Sequence, residues 1–210
     1  MRLPNLLSLV TLLAASTFAS ADSVVAGTNL LSVNAGAGLC PRTSDCEELA
    51  QQFTVSTAVL IDAIKVVITN PGPPIGGLDG SFSLSLGSAL GTGTAIGSGD
   101  ATVGPSEEFD FTGLDISLAA GTYYLLMTGD DVQWNHASAL TTSLGSLGPE
   151  WVCDPSFFSC SSDALNQWQS ISSTEAVEID GTAITPEPST LALFGTGLLV
   201  VVGEVRRRVA

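Results

Sequence analysis

Polar and apolar side chains alternate strictly over Ser81–Leu86 (SFSLSL), between Gly80 and Gly87. That period of two is the signature of a strand with one wet and one dry face. Glu108–Phe111 (EFDF) alternates in the same way. Leu60–Thr69 (LIDAIKVVIT) is β-branched and mostly apolar, with Asp62 and Lys65 as exceptions, and stops at the turn signal Asn70-Pro71-Gly72-Pro73-Pro74. Gly121–Gly129 (GTYYLLMTG) is a glycine-bounded run of strand formers, expected to be buried on both faces. Gln52–Thr57 and Ala176–Asp180 add two more, and the spacing of these runs leads to an expected total of seven or more strands. Strands recurring about every ten residues, with glycine turns between them, predict an all-β chain folded as a single antiparallel sandwich rather than βαβ units. Helix is expected only in short turns near Asp45–Gln51 and Asp163–Gln169. Gly91–Gly99 (GTGTAIGSG) has no lysine nearby and no helical pattern after it, so it reads as a flexible turn region and not a phosphate loop. The stretch DDVQWNHASA from Asp130 reads as a polar loop.

Two apolar runs break this pattern, one at each end. At the N-terminus Arg2 precedes the run Leu6–Ala15, and Ala19-Ser20-Ala21 supplies a small-x-small step. This is the layout of a secretory signal peptide cut by signal peptidase after Ala21, with Ala19 and Ala21 as the cleavage determinants. At the C-terminus Leu191–Gly203 would extend roughly 20 Å as a helix, against about 30 Å of hydrocarbon core. It is short for a permanent anchor, and Gly195, Gly197 and Gly203 weaken it further. Arg206, Arg207 and Arg208 would keep the tail cytoplasmic under the positive-inside rule, leaving the central part of the chain outside the membrane.

Pro186-Glu187-Pro188, Ser189, the short glycine-containing apolar run and the terminal Arg206–Arg208 cluster together resemble the PEP-CTERM sorting signal. That resemblance implies export, recognition and removal of the tail by the membrane-embedded protease exosortase, and delivery of the body to the cell surface or extracellular matrix of a Gram-negative bacterium that makes exopolysaccharide. Glu204 departs from the usual pattern, since an acid just before the arginines makes insertion less favourable. The two prolines also make physical sense on their own, because they keep the backbone extended and open to a protease. The order of strands over most of residues 50–185 is similar to the β-sandwich bodies of several PEP-CTERM proteins, which resemble jelly-roll carbohydrate-binding modules in topology. The expected organisation is a signal peptide over 1–21, a jelly-roll-like ectodomain over 22–182, and a sorting signal with a short transmembrane helix over 183–210.

Charge reinforces this division. Of the chain's 21 acids only Glu187 and Glu204 lie outside residues 22–185, where the basic side chains are Arg42 and Lys65 alone, so the body carries about −17. Such a surface excludes a nucleic-acid partner, which needs clustered lysine and arginine. Four cysteines form two close pairs, Cys40 with Cys46 and Cys153 with Cys160. Export makes disulfides the expectation, and local pairing is favoured among three connectivities.

Candidate chemistry is sparse. His136 is the only histidine and there is no Gly-x-Ser-x-Gly elbow, so a hydrolase triad is not expected, and His136 reads as a lone exposed side chain. Glu107/Glu108 and Asp130/Asp131 are sequence neighbours, which point to opposite faces of a strand. No cofactor is expected. Calcium is kept as a candidate ligand of turn carboxylates such as Asp130 and Asp131. Trp134, Asn135, Trp151 and Trp168, in a stretch rich in polar residues, are the candidate glycan contacts, with packing in the sandwich core the favoured alternative for Trp134 and Trp151. The expectation is a non-catalytic structural or adhesive protein associated with extracellular polysaccharide. A carbohydrate-active hydrolase and a protein-binding surface module stay open as alternatives.

Overall fold

A computed structural model describes residues 23–39, 48–72, 79–140, 142–153 and 168–184. Eleven strands follow one another: β1 (Ser23–Leu39), β2 (Glu48–Val55), β3 (Val59–Thr69), β4 (Asp79–Ala89), β5 (Thr92–Thr102), β6 (Glu107–Leu118), β7 (Gly121–Asp130), β8 (Val132–Leu140), β9 (Gly145–Cys153), β10 (Trp168–Ile171) and β11 (Val177–Ala183). They form two antiparallel sheets, β11-β1-β8-β3-β6 and β10-β9-β2-β7-β4-β5, which face each other as a sandwich. Only the β4–β5 and β9–β10 connections stay within a sheet, so the chain shuttles between the two layers. The expected signal peptide and transmembrane helix lie outside the described residues. Among the described residues no helix is long and apolar enough to cross a membrane.

The alternating segments bury the expected faces. Phe82, Leu84 and Leu86 of β4 point into the core while Ser81 and Ser83 stay wet. In β6 Phe109 and Phe111 turn inward, and Glu108 and Asp110 remain exposed. Leu125, Leu126 and Met127 of β7 are buried in succession because both faces of this strand are covered. Leu125 and Met127 join the main core, while Leu126 joins Ala50, Leu90, Cys153 and Trp168 in a second apolar cluster.

Several sequence expectations are corrected. The glycine-rich stretch 91–99 is a strand rather than a flexible turn, because β5 pairs along β4 and its missing side chains make room for aromatics of β6. A Cβ at Gly97 would sit 2.5 Å from the Phe111 ring, and one at Gly99 would sit 2.9 Å from Phe109. Phe109 and Phe111 both meet Phe82 edge-on. Glu48–Gln51, expected in a helical turn, belongs to β2, where pairing with β7 and β9 on either side overrides local propensity. Trp168–Ile171 likewise pairs with β9 as β10. The polar stretch after Asp130 is β8, and its entry is a corner between sheets at Asp131, whose φ of 59° is one that aspartate tolerates better than most residues.

One polar device lies on the outer face of the first sheet. Lys65, the chain's one lysine, sits on β3 opposite Glu178 of β11 and bonds Glu178 at 2.5 Å and Asp180 at 3.1 Å. These hydrogen bonds hold its ammonium well above the ordinary lysine value. A raised lysine value means that the stability it contributes is full below pH 10.5 and is lost only as pH climbs through the folded value. The partly exposed site is screened by solvent. Lys65→Ala is therefore expected to lower stability by about 1 kcal/mol at low ionic strength, with the difference shrinking in high salt. Paired urea denaturation curves at two salt concentrations check this.

Candidate functional site

Trp134 and His136 are two apart on β8, so both point into the space between the sheets. The facing strand, β9, contains Pro149, which lacks the N–H that a ladder requires. The β2–β9 register slips there: Gln51 pairs with Glu150, but Phe53 pairs with Leu147. This one-residue bulge brings Leu147 and Glu150 to the same inner face, which an unbroken strand would not do. Gln51 repairs the gap, its Nε2 donating to Gly148 O at 2.9 Å and to Gln52 O at 2.8 Å.

The third element is the crossover from β10 to β11. Ala176 N–H donates to Asn135 O at 2.5 Å, Ala137 N–H donates to Thr174 O at 3.0 Å, and Glu150 N–H donates to Ser173 O at 3.3 Å. Glu175 N–H donates to Gln51 Oε1 at 2.8 Å. The crossover is thus pinned to both sheets, and it carries the Glu175 side chain inward, where the residue is fully buried.

Three donor groups meet there. His136 Nε2 lies 3.0 Å from Glu150 Oε2 and 3.8 Å from Glu175 Oε1. All three donor atoms fall within 4.8 Å of one another. Both glutamates are fully buried, and the His136 side chain keeps 26% of its surface open to solvent. Ser173 Oγ donates to Glu150 Oε2 at 2.5 Å. Neither oxygen of Glu175 has a hydrogen-bond partner, and His136 Nε2 makes no hydrogen bond despite its short contact. Burial, with the Glu150 carboxyl close by, pushes the Glu175 carboxyl well above the usual carboxylate range. One imidazole and two carboxylates are a donor set that suits a divalent cation.

The residues singled out from sequence fare differently. Trp134 is fully buried and its Nε1 donates to Ala176 O at 3.1 Å, so it is a core residue and not a glycan contact. Asn135 is buried as well, bonded to Thr69 and Ser106. Trp168 is 5% exposed, packed in the cluster with Leu126 and Cys153. Trp151 is half-buried and its indole donates to Gln52. No aromatic platform for a sugar is assembled from these four, because strand pairing spends their faces on packing. His136 is not a lone exposed side chain but a member of the buried cluster. Asp130 is exposed and Asp131 buried, and neither joins a group of three or more donors among the described residues. Cys153 is fully buried and disulfide-bonded. Cys40, Cys46 and Cys160 lie outside the described residues, and so do Ala19, Ala21, Pro186, Glu187, Pro188 and Arg206–Arg208.

A separate open cleft of about 550 Å³ lies at the β4–β5 hairpin, against Ile116, Leu118 and Tyr123. Its lining holds no carboxylate, histidine or cysteine, and the Tyr123 hydroxyl donates to Ala119 O.

Comparison with known proteins adds one functional landmark. The PEP-CTERM protein-sorting motif matches residues 185–208, directly after β11. It marks the chain as an exosortase-targeted exported protein that passes through a membrane-anchored intermediate. No curated protein matches. Among solved structures, a chain from the crystal structure of the T13 IBDV viral particle aligns with 81% of this chain and 40% of its own length, at 11% identity and a TM-score of 0.27, a likeness too weak to carry an argument.

The buried carboxyl cluster makes a stability prediction. A carboxyl whose folded value is raised favours folding at pH below its unfolded value of about 4.5, and that contribution is lost as pH rises through the folded value. With divalent ions chelated, Glu175→Gln removes the cost of keeping this buried carboxyl from ionising and is expected to stabilise the protein at pH 8 by about 1–3 kcal/mol, and much less at pH 4.5. Thermal unfolding of both proteins at the two pH values measures this.

Proposed function

We propose that this exported protein is a non-catalytic structural component of the cell surface or extracellular matrix, released from its sorting tail by exosortase and associated there with exopolysaccharide. The observation that carries the reading is the sorting motif at 185–208, joined to the last strand with one residue between them. Architecture supports it. The start of β1 pairs with the end of β11, Ser23 opposite Gly181, so the described body begins and ends at one edge of the sandwich. Segments preceding residue 23 and following residue 184 would therefore leave from the same side, and the body can stand on a membrane while tethered at either end. Ile184, the residue before the motif, is held by its N–H to Ala58 O at 2.8 Å. Cleavage in or near the Pro186-Glu187-Pro188 segment would then occur with the sandwich directly above the bilayer.

The non-catalytic part of the reading rests on what the converging carboxylates look like. A glycosidase needs two carboxyl groups flanking an accessible bond, roughly 5 Å or more apart. Glu150 and Glu175 are both fully buried, which argues against their flanking a polysaccharide chain. Association with exopolysaccharide would use hydroxyl and carboxylate side chains on the acidic surface, bridged by cations, rather than stacked aromatics.

Mass spectrometry of the native protein from cell surface and medium tests the reading. The expected species starts at residue 22 and ends near Pro186, and it co-sediments with the cell's own polysaccharide until the polysaccharide is digested. Full-length polypeptide confined to the cytosol would contradict the processing. Processed protein with no polysaccharide dependence would contradict the association alone.

A further inference from the structure

We propose that His136, Glu150 and Glu175 form a binding site for a divalent transition-metal ion of the zinc class, which clips the two sheets together at the β10–β11 crossover. His136 comes from one sheet, Glu150 from the other, and Glu175 from the chain that crosses between them. A single ion held by all three would cross-link both layers.

Four observations carry this. First, the spacing from the histidine fits, and the two carboxylate oxygens, within 4.8 Å of each other, need only a small side-chain rotation to close on one ion: two donors each 2.0–2.1 Å from a tetrahedral zinc lie roughly 3.3–3.4 Å apart. The distances from His136 Nε2 to the two carboxylates, 3.0 and 3.8 Å, bracket that value. Second, His136 Nε2 is close to both carboxylates and hydrogen-bonded to neither, the relation expected of donors aimed at a shared point. Third, Glu175 is fully buried and faces the Glu150 carboxyl, with no N–H or hydroxyl donating to either of its oxygens, and two adjacent buried carboxyls without such donors are costly unless a cation accepts their lone pairs. Fourth, the supporting contacts of a metal site are present. Ser173 Oγ donates to Glu150, and the Glu175 backbone is fixed by Gln51, whose amide is itself held by two carbonyls. Two carboxylates balance the charge of a divalent ion, and the mixed nitrogen and oxygen donors favour zinc over calcium or magnesium, which take oxygen ligands. The His136 side chain, 26% exposed, is the part of the cluster nearest solvent and the side from which an ion would enter.

The test uses the full chain purified in detergent without a polyhistidine tag, stripped with chelator and titrated with zinc, manganese or calcium chloride. Saturable binding of one zinc per chain is expected. Thermal unfolding should shift upward by about 5–10 °C at free zinc a hundredfold above Kd. Calcium should give no comparable shift. Glu175→Gln is isosteric and relieves buried charge, so it folds in the absence of metal, and it should lose at least tenfold in zinc affinity along with the thermal shift. His136→Ala should do the same. If that variant fails to fold, Glu175→Gln alone decides. The proposal is overturned by the absence of saturable zinc binding, by a zinc shift in Glu175→Gln equal to wild type, or by calcium stabilising more than zinc. In the first case the cluster is a buried histidine–carboxylate pair sharing a proton and nothing more.

Discussion

The indole of Trp134 lies between the two sheets with its Nε1 bonded to the Ala176 carbonyl, which also accepts from Val67 N–H at 3.2 Å. This contact sits at a seam. In the first sheet β11 fills the space between β1 and β3 along one half of their length, and β8 fills it along the other. Two strands that meet end to end leave backbone groups without ladder partners, and those groups must be satisfied if they are buried. The crossover at 172–176 supplies the partners, through Ala176 to Asn135, Val67 to Ala176 and Ala137 to Thr174. The tryptophan ring fills the volume beneath the joint, and its one donor satisfies the joint's carbonyl. The buried His136–Glu150–Glu175 cluster follows from that arrangement, because the crossover that bonds to both sheets carries Glu175 into the core.

Export and this interior are separate layers of information in one chain. The sorting motif is a contiguous signal over 185–208, after the last strand of the body. The body's task is to fold outside the cytoplasm and stay soluble with a formal charge far from zero. Its lone lysine is committed to Glu178 and Asp180 on the outer face of the sheet, leaving the rest of the described surface acidic. The pairing of Ser23 with Gly181 brings both ends of the body to one edge, which suits a protein held at a membrane until its tail is cut.

Much of the sandwich was legible because its central strands carry the period of two. Phe82, Leu84 and Leu86 announce β4, and the β-branched run 60–69 announces β3. The strands that escaped reading are those whose side chains do not carry the pattern. β5 is built almost wholly of glycine, alanine, serine and threonine, and its role is to leave space for Phe109 and Phe111, a property of the opposite sheet. β9 contains Pro149 and a bulge, both of which argue locally against a strand. β8 reads as polar because Gln133, Asn135 and His136 meet partners from distant elements. The sorting tail was readable in full, since its determinants are contiguous. The His136–Glu150–Glu175 cluster was not, because its members come from β8, β9 and a crossover, and the bulge that aims Glu150 inward depends on strand register. One clue was available: His136 shares the face of Trp134, two residues before it. The tryptophans stayed open between sugar contact and core, as aromatic content says nothing of which face a strand will bury.

The seam is tested most directly by hydrogen exchange at the Trp134 indole N–H, followed by NMR in the intact protein. An indole proton bonded to Ala176 O between two sheets should exchange only through opening of the whole sandwich, at a rate that tracks global stability as denaturant is added. Exchange at the rate of an exposed tryptophan, indifferent to denaturant, would place the ring at the surface and contradict the account.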